Sequence, residues 1–166
     1  EMGPYIKKAF DIINESFSPL YGVVPITDKQ IDTIIKQYVT LINLDFLILV
    51  TDKDDELIGF GLLAPCLNAV TKKSNGRLFP FGILRALRAL KKFDVLDMYL
   101  IAVKPAYQNL GVNALILAEG VKAAIRHNVK LAETGPELEH NTQVRSQWKD
   151  FEYRQHKRRR CYKLDI

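Results

Sequence analysis

Apolar and polar residues alternate with two different periods along this chain, and the switches between them lay out its elements. Ile6, Phe10, Ile13 and Phe17 recur at helical spacing, which predicts a helix from about Tyr5 to Ser16 with Pro4 in its first turn. Thr27 and Gln30 form a capping box, and Ile31, Ile34, Ile35, Tyr38, Val39 and Ile42 carry a second amphipathic stripe. Between these helices, residues 17–26 read as a loop of turn-formers and aromatics in which Tyr21 is a packing residue. Two short apolar runs follow, residues 44–51 and 57–64, split by the polar residues 52–56, and read as strands joined by a hairpin turn. A third run, residues 97–103, reads as a buried strand ended by Pro105, which lacks a backbone donor. Leu115, Ala118, Val121 and Ile125 then predict a helix beginning near Ala114. Residues 130–135 predict one more strand, followed by a helix over about 142–152 and a closing pair of strands in 151–166.

Residues 66–96 interrupt this order as an insertion. GRLFPFG (76–82) is an aromatic loop, and residues 83–93 read as a basic helix. Leu84, Leu87 and Leu90 fall on one side, with Arg85, Arg88, Lys91 and Lys92 elsewhere. Such a helix lies on a membrane, grips an acidic partner, or docks its apolar side on the domain and leaves its cations to water. The narrow stripe favours docking.

Composition changes the picture only by exclusion. At 166 residues and 48% hydrophobic the chain is expected to form one globular domain with ample core. It carries no signal peptide and no run of about 18 apolar residues, so a soluble, cytoplasmic protein without membrane association is expected. Cys66 and Cys161 lack metal-ligand spacing and read as free thiols, while His127, His140 and His156 are scattered and read as surface residues. The acidic turn fails as a calcium loop, with Leu57 and Leu63 where such a loop counted from Asp52 needs Gly and Glu. No metal is expected. Net charge is +5, which suits an anionic ligand. Lys157-Arg158-Arg159-Arg160, placed on a strand, alternates between faces and forms no single patch, so no nucleic-acid partner is expected.

Between the strand ending at Val103 and the helix near Ala114 lies Gln108-Asn109-Leu110-Gly111-Val112-Asn113. Such a turn leaves several backbone N–H groups unpaired at the positive end of a helix, a ready anion site. The strand, this turn and the following helix resemble the acyl-CoA-binding core of the GNAT superfamily of N-acetyltransferases. Gln108 and Gly111 match that family's Q/R-x-x-G-x-G/A signature, while Asn113 departs from its last position. The departure is mild, because Asn tolerates left-handed geometry and caps helices. Asn141 and Val144 match a second family pattern, an Asn opening a helix with an apolar residue three on. Trp148 stands where the family very often has a tyrosine that protonates the departing thiolate, and an indole cannot do that at accessible pH. The block ETGPELEHN (133–141) also resembles an uncharacterised bacterial subgroup of GNAT-like proteins. The resemblance covers about residues 44–64 and 97–166.

The resemblance implies an α/β (α+β) fold: a mixed, mostly antiparallel sheet with a V-shaped splay and flanking helices. Its helical insertion falls between the family's third and fourth strands, its first strand is missing, and the chain reads as a fragment of a longer protein. It further implies acyl transfer, with acetyl-CoA or another acyl-CoA as donor and a small-molecule or peptide amine as acceptor. The pantetheine arm would pair with backbone of Ile101, Ala102 and Val103, and the diphosphate would rest on the turn from Gln108 and Asn109 through Leu110, Gly111, Val112, Asn113 and Ala114. Asn141 and Trp148 complete the cofactor-binding set. Glu133 is the first candidate for the base that deprotonates the amine, with Tyr99 and Asp97 as alternatives acting through water. A structural pairing of Glu133 with a tail arginine weighs equally. A non-catalytic acyl-CoA sensor or interaction module is the competing reading, and a homodimer or a preceding domain are the candidate protein partners.

Overall fold

The computed structural model describes residues 3–38, 42–77, 79–160 and 162. The predictions that rested on Val39, Cys161 and Leu164 lie outside these residues. Glu1–Gly135 and Pro136–Ile166 form two compact units, and each is taken by itself.

The first unit is built on a four-stranded sheet in the order β1 (Leu47–Thr51), β2 (Leu57–Pro65), β3 (Val95–Val103) and β4 (Leu131–Thr134). The first three strands are antiparallel, and β4 joins β3 in parallel. Pairing of β1 with β2 is fixed by the hairpin turn, where the Asp52 carboxylate accepts from the backbone N–H of Asp54 and of Glu56. That is an Asx-type turn, and it gives the Asp52 carboxylate a structural role.

Helices cover both faces. α1 (Gly3–Phe17) packs Ile12 and Ile13 against Leu57, Phe60 and Ala102. α2 (Asp28–Tyr38) begins behind the predicted capping box, in which Gln30 Oε1 accepts from Thr27 N–H at 2.9 Å. The loop between them is tied back by Asn14, whose amide exchanges two hydrogen bonds with the backbone of Ile26. Tyr21 in this loop is 93% exposed, contrary to its reading as a packing residue. Leu44–Phe46 is a 3-10 turn rather than the start of a strand.

α5 (Val112–Arg126) lies on the opposite face, and it buries a different side from the one predicted. Val112, Ile116, Gly120 and Ala123 face the sheet, whereas Leu115, Val121 and Ile125 are exposed. Nearly every position of this helix is apolar, so periodicity alone does not choose its face. Shape does. A methyl group on Gly61 would come within 2.5 Å of Ile116 Cγ2, and one on Gly59 within 3.0 Å of Val112 Cγ1. The two glycines of β2 thus create the flat strip on which α5 rests.

The insertion contains two helices, not one: α3 (Asn68–Lys73) and α4 (Gly82–Lys91). In the second unit, α6 (Thr142–Ser146) is capped by the Asn141 side chain, which accepts from Val144 N–H at 3.3 Å. It is shorter than predicted and runs into a 3-10 turn over Gln147–Asp150. Residues 151–160 form no strand and are exposed throughout. Residues 154–160 offer no apolar side chain that a sheet face would bury.

Candidate active site

The site is set by where β4 lets go of β3. Pairing runs from Val95 with Leu131 to Met98 with Thr134 and goes no further, although β3 continues to Val103. At the same point β3 bulges against β2: Leu62 opposes Leu100 and Leu63 opposes Met98, so Tyr99 is the extra residue. Beyond the bulge β3 has a neighbour on its β2 side, and among the described residues no strand pairs with its other edge. This is the splay expected from the sequence.

Alternation along β3 decides which backbone groups reach that edge. Lys104 N–H donates to Ile58 O at 2.8 Å, so Ala102, two residues back, also directs its backbone toward β2. Ala102 is therefore corrected: the open edge offers Ile101 and Val103. The carbonyl of Val103 is already occupied, accepting from Ser16 Oγ at 2.8 Å and from Gln108 Nε2 at 3.2 Å. Gln108, matched to the family signature, thus fixes the strand end to the turn instead of projecting outward.

The chain then passes Pro105, which opens a 3-10 turn over Pro105–Tyr107, and reaches Asn109 and Gly111, both at positive φ. Gly111 (φ 85°) is the residue before α5, and at this N-cap position it has no side chain to offer the helix. Its first turn carries no acidic residue, and a Cβ at Gly111 would meet nothing within 4 Å. The amides of this turn precede any intrahelical acceptor and sit at the positive end of a helix of 15 residues. Helix onset is at Val112, two residues before the predicted position, which brings Val112 and Asn113 into the first turn.

On the α1 face of the sheet, Asp97 and Glu133 are register partners, and Cys66 just after β2 completes a group. The three donor atoms lie within 4.8 Å of one another. All three residues are half-buried. Burial pushes the Cys66 thiol above its ordinary range, and a hydrogen bond with Asp97 adds to the shift. Burial also raises the Tyr99 phenol, with Asp97 and Cys66 contributing. Both groups are accordingly protonated at neutral pH, which argues against nucleophilic attack by Cys66. The structure thus brings Asp97 and Glu133 together, sets Tyr99 within electrostatic reach of Asp97, and adds a thiol that sequence spacing did not point to. The only sequence signal for Cys66 was its place directly after a strand.

Asn141 and Trp148 belong to the second unit. Asn141 is the cap of α6, and Trp148 Nε1–H donates to Glu137 Oε1 at 2.7 Å.

No family model matches the chain. Protein YghO of Escherichia coli (strain K12) is 29% identical to it over an alignment of 162 residues that covers 94% of this chain and 41% of that protein. The chain therefore spans about two fifths of the length of the curated relative it matches. Among solved structures, a probable acetyltransferase superposes with a TM-score of 0.62 at 14% identity, covering 99% of this chain and 93% of that one. A GNAT family acetyltransferase from Brucella melitensis in complex with acetyl-CoA gives a TM-score of 0.56 at 12% identity, covering 87% and 77%. An aminoglycoside acetyltransferase from an uncultured soil metagenomic sample, in complex with trehalose, gives 0.54 at 7%, covering 98% and 90%. The fold is that of the GNAT acetyltransferases. Among the described residues, no helix is long and apolar enough to cross a membrane.

Proposed function

We propose that this chain is an acyl-CoA-dependent N-acyltransferase, with acetyl-CoA as donor and a small-molecule or peptide amine as acceptor. The observation that carries the reading is the continuity of one path. The edge of β3 freed after Met98 leads through Pro105 into a left-handed Gly111 and the N-terminus of α5. An extended pantetheine arm would pair with Ile101 and with the N–H of Val103 as an added strand does. Its diphosphate would meet the amides from Leu110 to Ala114, where a half-charge of positive sign stands ready.

The acceptor amine attacks the thioester directly in this reading, and the Val103 N–H lies at the strand end where an oxyanion would need a donor. Glu133 takes the ammonium proton, with Asp97 beside it and the protonated Tyr99 and Cys66 as hydrogen-bond donors. We read residues 66–96 as an insertion within one domain whose loop borders the acceptor side. The ETGPELEHN-type block marks the bacterial subgroup to which we assign the chain, and the expected location is the cytoplasm.

The test has two stages. Acetyl-CoA should raise the thermal midpoint, and free thiol should then appear with at least one member of an amine panel. Absence of both removes the reading. A shift without turnover supports the second reading, a non-catalytic acyl-CoA-binding module. One observation favours that alternative: Trp148 stands where the family's proton donor would, and its N–H is committed to Glu137.

A further inference from the structure

The insertion presents a surface that the acyl-transfer reading does not use. From Cys66 to Phe93 the chain carries seven Lys or Arg residues and no Asp or Glu. It therefore holds more positive charge than the whole chain's net +5. The sequence predicts that α4 docks its leucines and leaves its cations to water. The structure divides the helix differently. Ala86, Ala89 and Leu90 are the half-buried side, while Ile83, Leu84 and Leu87 face outward. The loop before it adds Phe79 and Phe81, 76% and 64% exposed.

At about 100° per residue, Ile83, Leu87 and Leu84 form one outward strip. Lys91 falls within that strip, and Arg88 and Arg85 continue around the helix from its Leu84 edge. Two aromatic rings and three aliphatic side chains are thus held in water, bordered by cations with no anion in the segment to neutralise them. Exposure of this kind marks an interaction surface rather than an unused one.

From this we infer that the α3–α4 insertion is a docking element for an anionic phospholipid surface, lying in the interface plane rather than crossing the bilayer. Charge complementarity selects the occupant. A leaflet of anionic headgroups answers several cations at once, and Lys and Arg reach it while their stems follow the apolar strip. Shape favours a bilayer over a protein groove. Rings exposed by more than half project from the surface, and a bilayer accepts such projections without a matching contour. The segment belongs to the unit that holds the proposed acyl-CoA path, yet the inference stands whether or not that path is catalytic.

Flotation of the 166-residue chain with vesicles tests it, comparing phosphatidylcholine alone with phosphatidylcholine containing phosphatidylglycerol. The chain should float only with the anionic vesicles, and high salt should weaken this by more than about tenfold. Leu84→Glu with Leu87→Glu should abolish flotation. Arg85→Gln with Arg88→Gln should weaken it by about tenfold or more, since each cation near a charged leaflet counts for roughly fivefold. All four positions are exposed, so an unchanged thermal midpoint verifies folding. Three results would overturn the inference: no flotation with anionic vesicles, equal flotation with neutral ones, or variants that float like the parent. Leu84-dependent self-association without vesicle binding would also overturn it and assign the patch to a second copy.

Discussion

Asp97 and Glu133 stand opposite each other in the parallel register of β3 and β4, with their carboxylate oxygens within 4.8 Å of one another and of Cys66 Sγ. They occupy the last stretch over which the two strands pair, directly before β4 leaves the sheet at Gly135. A carboxylate held at the mouth of a splay is placed to take a proton from an amine entering there. Glu133→Gln keeps the shape and removes the basicity. Turnover should fall by about 100-fold, the usual scale of a positioned general base. The thermal shift with acetyl-CoA should persist, because Glu133 lies away from the α5 turn. Equal turnover in the variant would take Glu133 out of the mechanism, and Asp97→Asn becomes the next measurement.

Gly111 carries the second prediction. Its φ of 85° is accessible to glycine and strained for any residue with a Cβ, although no neighbour would be struck. Gly111→Ala should therefore cost about 1 kcal/mol of stability through the backbone alone. It should also weaken acetyl-CoA binding, because relief of the strain turns the α5 amides away from their common focus. Denaturant unfolding and acetyl-CoA titration read the two effects separately. A variant as stable as the parent would show that the turn relaxes without strain.

Much of this architecture is legible in the residues. The three long strands announce themselves as apolar runs, and the Asp52 turn, the Thr27–Gln30 box and the Pro105 stop carry their own chemistry. Three things are not legible, each for a physical reason. The face of α5 is hidden because the helix is apolar on nearly all sides, and the choice is made by glycines in a different element. α3 is hidden because its six residues have no apolar periodicity and no capping side chain at Leu67. The Cys66–Asp97–Glu133 group is hidden because cross-strand register is fixed by the Tyr99 bulge and the turns, not by sequence separation. Family resemblance points to Asp97 and Glu133, but only the register of β3 with β4 sets them side by side.

The glycines of β2 give the third prediction. A methyl group on Gly61 collides with Ile116 Cγ2, the branch that isoleucine carries at Cβ. Gly61→Ala should destabilise by about 1–3 kcal/mol, the range of overpacked cores. Leucine lacks that branch, so Ile116→Leu should recover part of the loss when combined with Gly61→Ala. The double variant should then be more stable than the sum of the single effects predicts, a coupling expected only for residues in contact. Strict additivity would mean that α5 shifts as a body and that the close approach is not held by this pair.

Cys66 gives the last prediction, and its sign follows from the raised thiol. Burial and the hydrogen bond with Asp97 disfavour the thiolate, so the folded-state pKa lies above that of the unfolded chain. A raised pKa leaves the stability contribution intact below the unfolded value and removes it as pH climbs through the folded one. In a Cys161→Ser background, iodoacetamide should modify Cys66 more slowly than a free cysteine at mildly alkaline pH. Its rate profile should be displaced to higher pH, since only the thiolate reacts. Asp97→Asn removes the charge that opposes the thiolate, and should move the profile back toward the ordinary range. Stability should decline above the normal thiol range in the Cys161→Ser protein, and less so when Cys66→Ser is added. A reaction as fast as that of free cysteine would show that the thiol is neither buried nor paired with Asp97, and the Cys66–Asp97–Glu133 group would have to be redrawn.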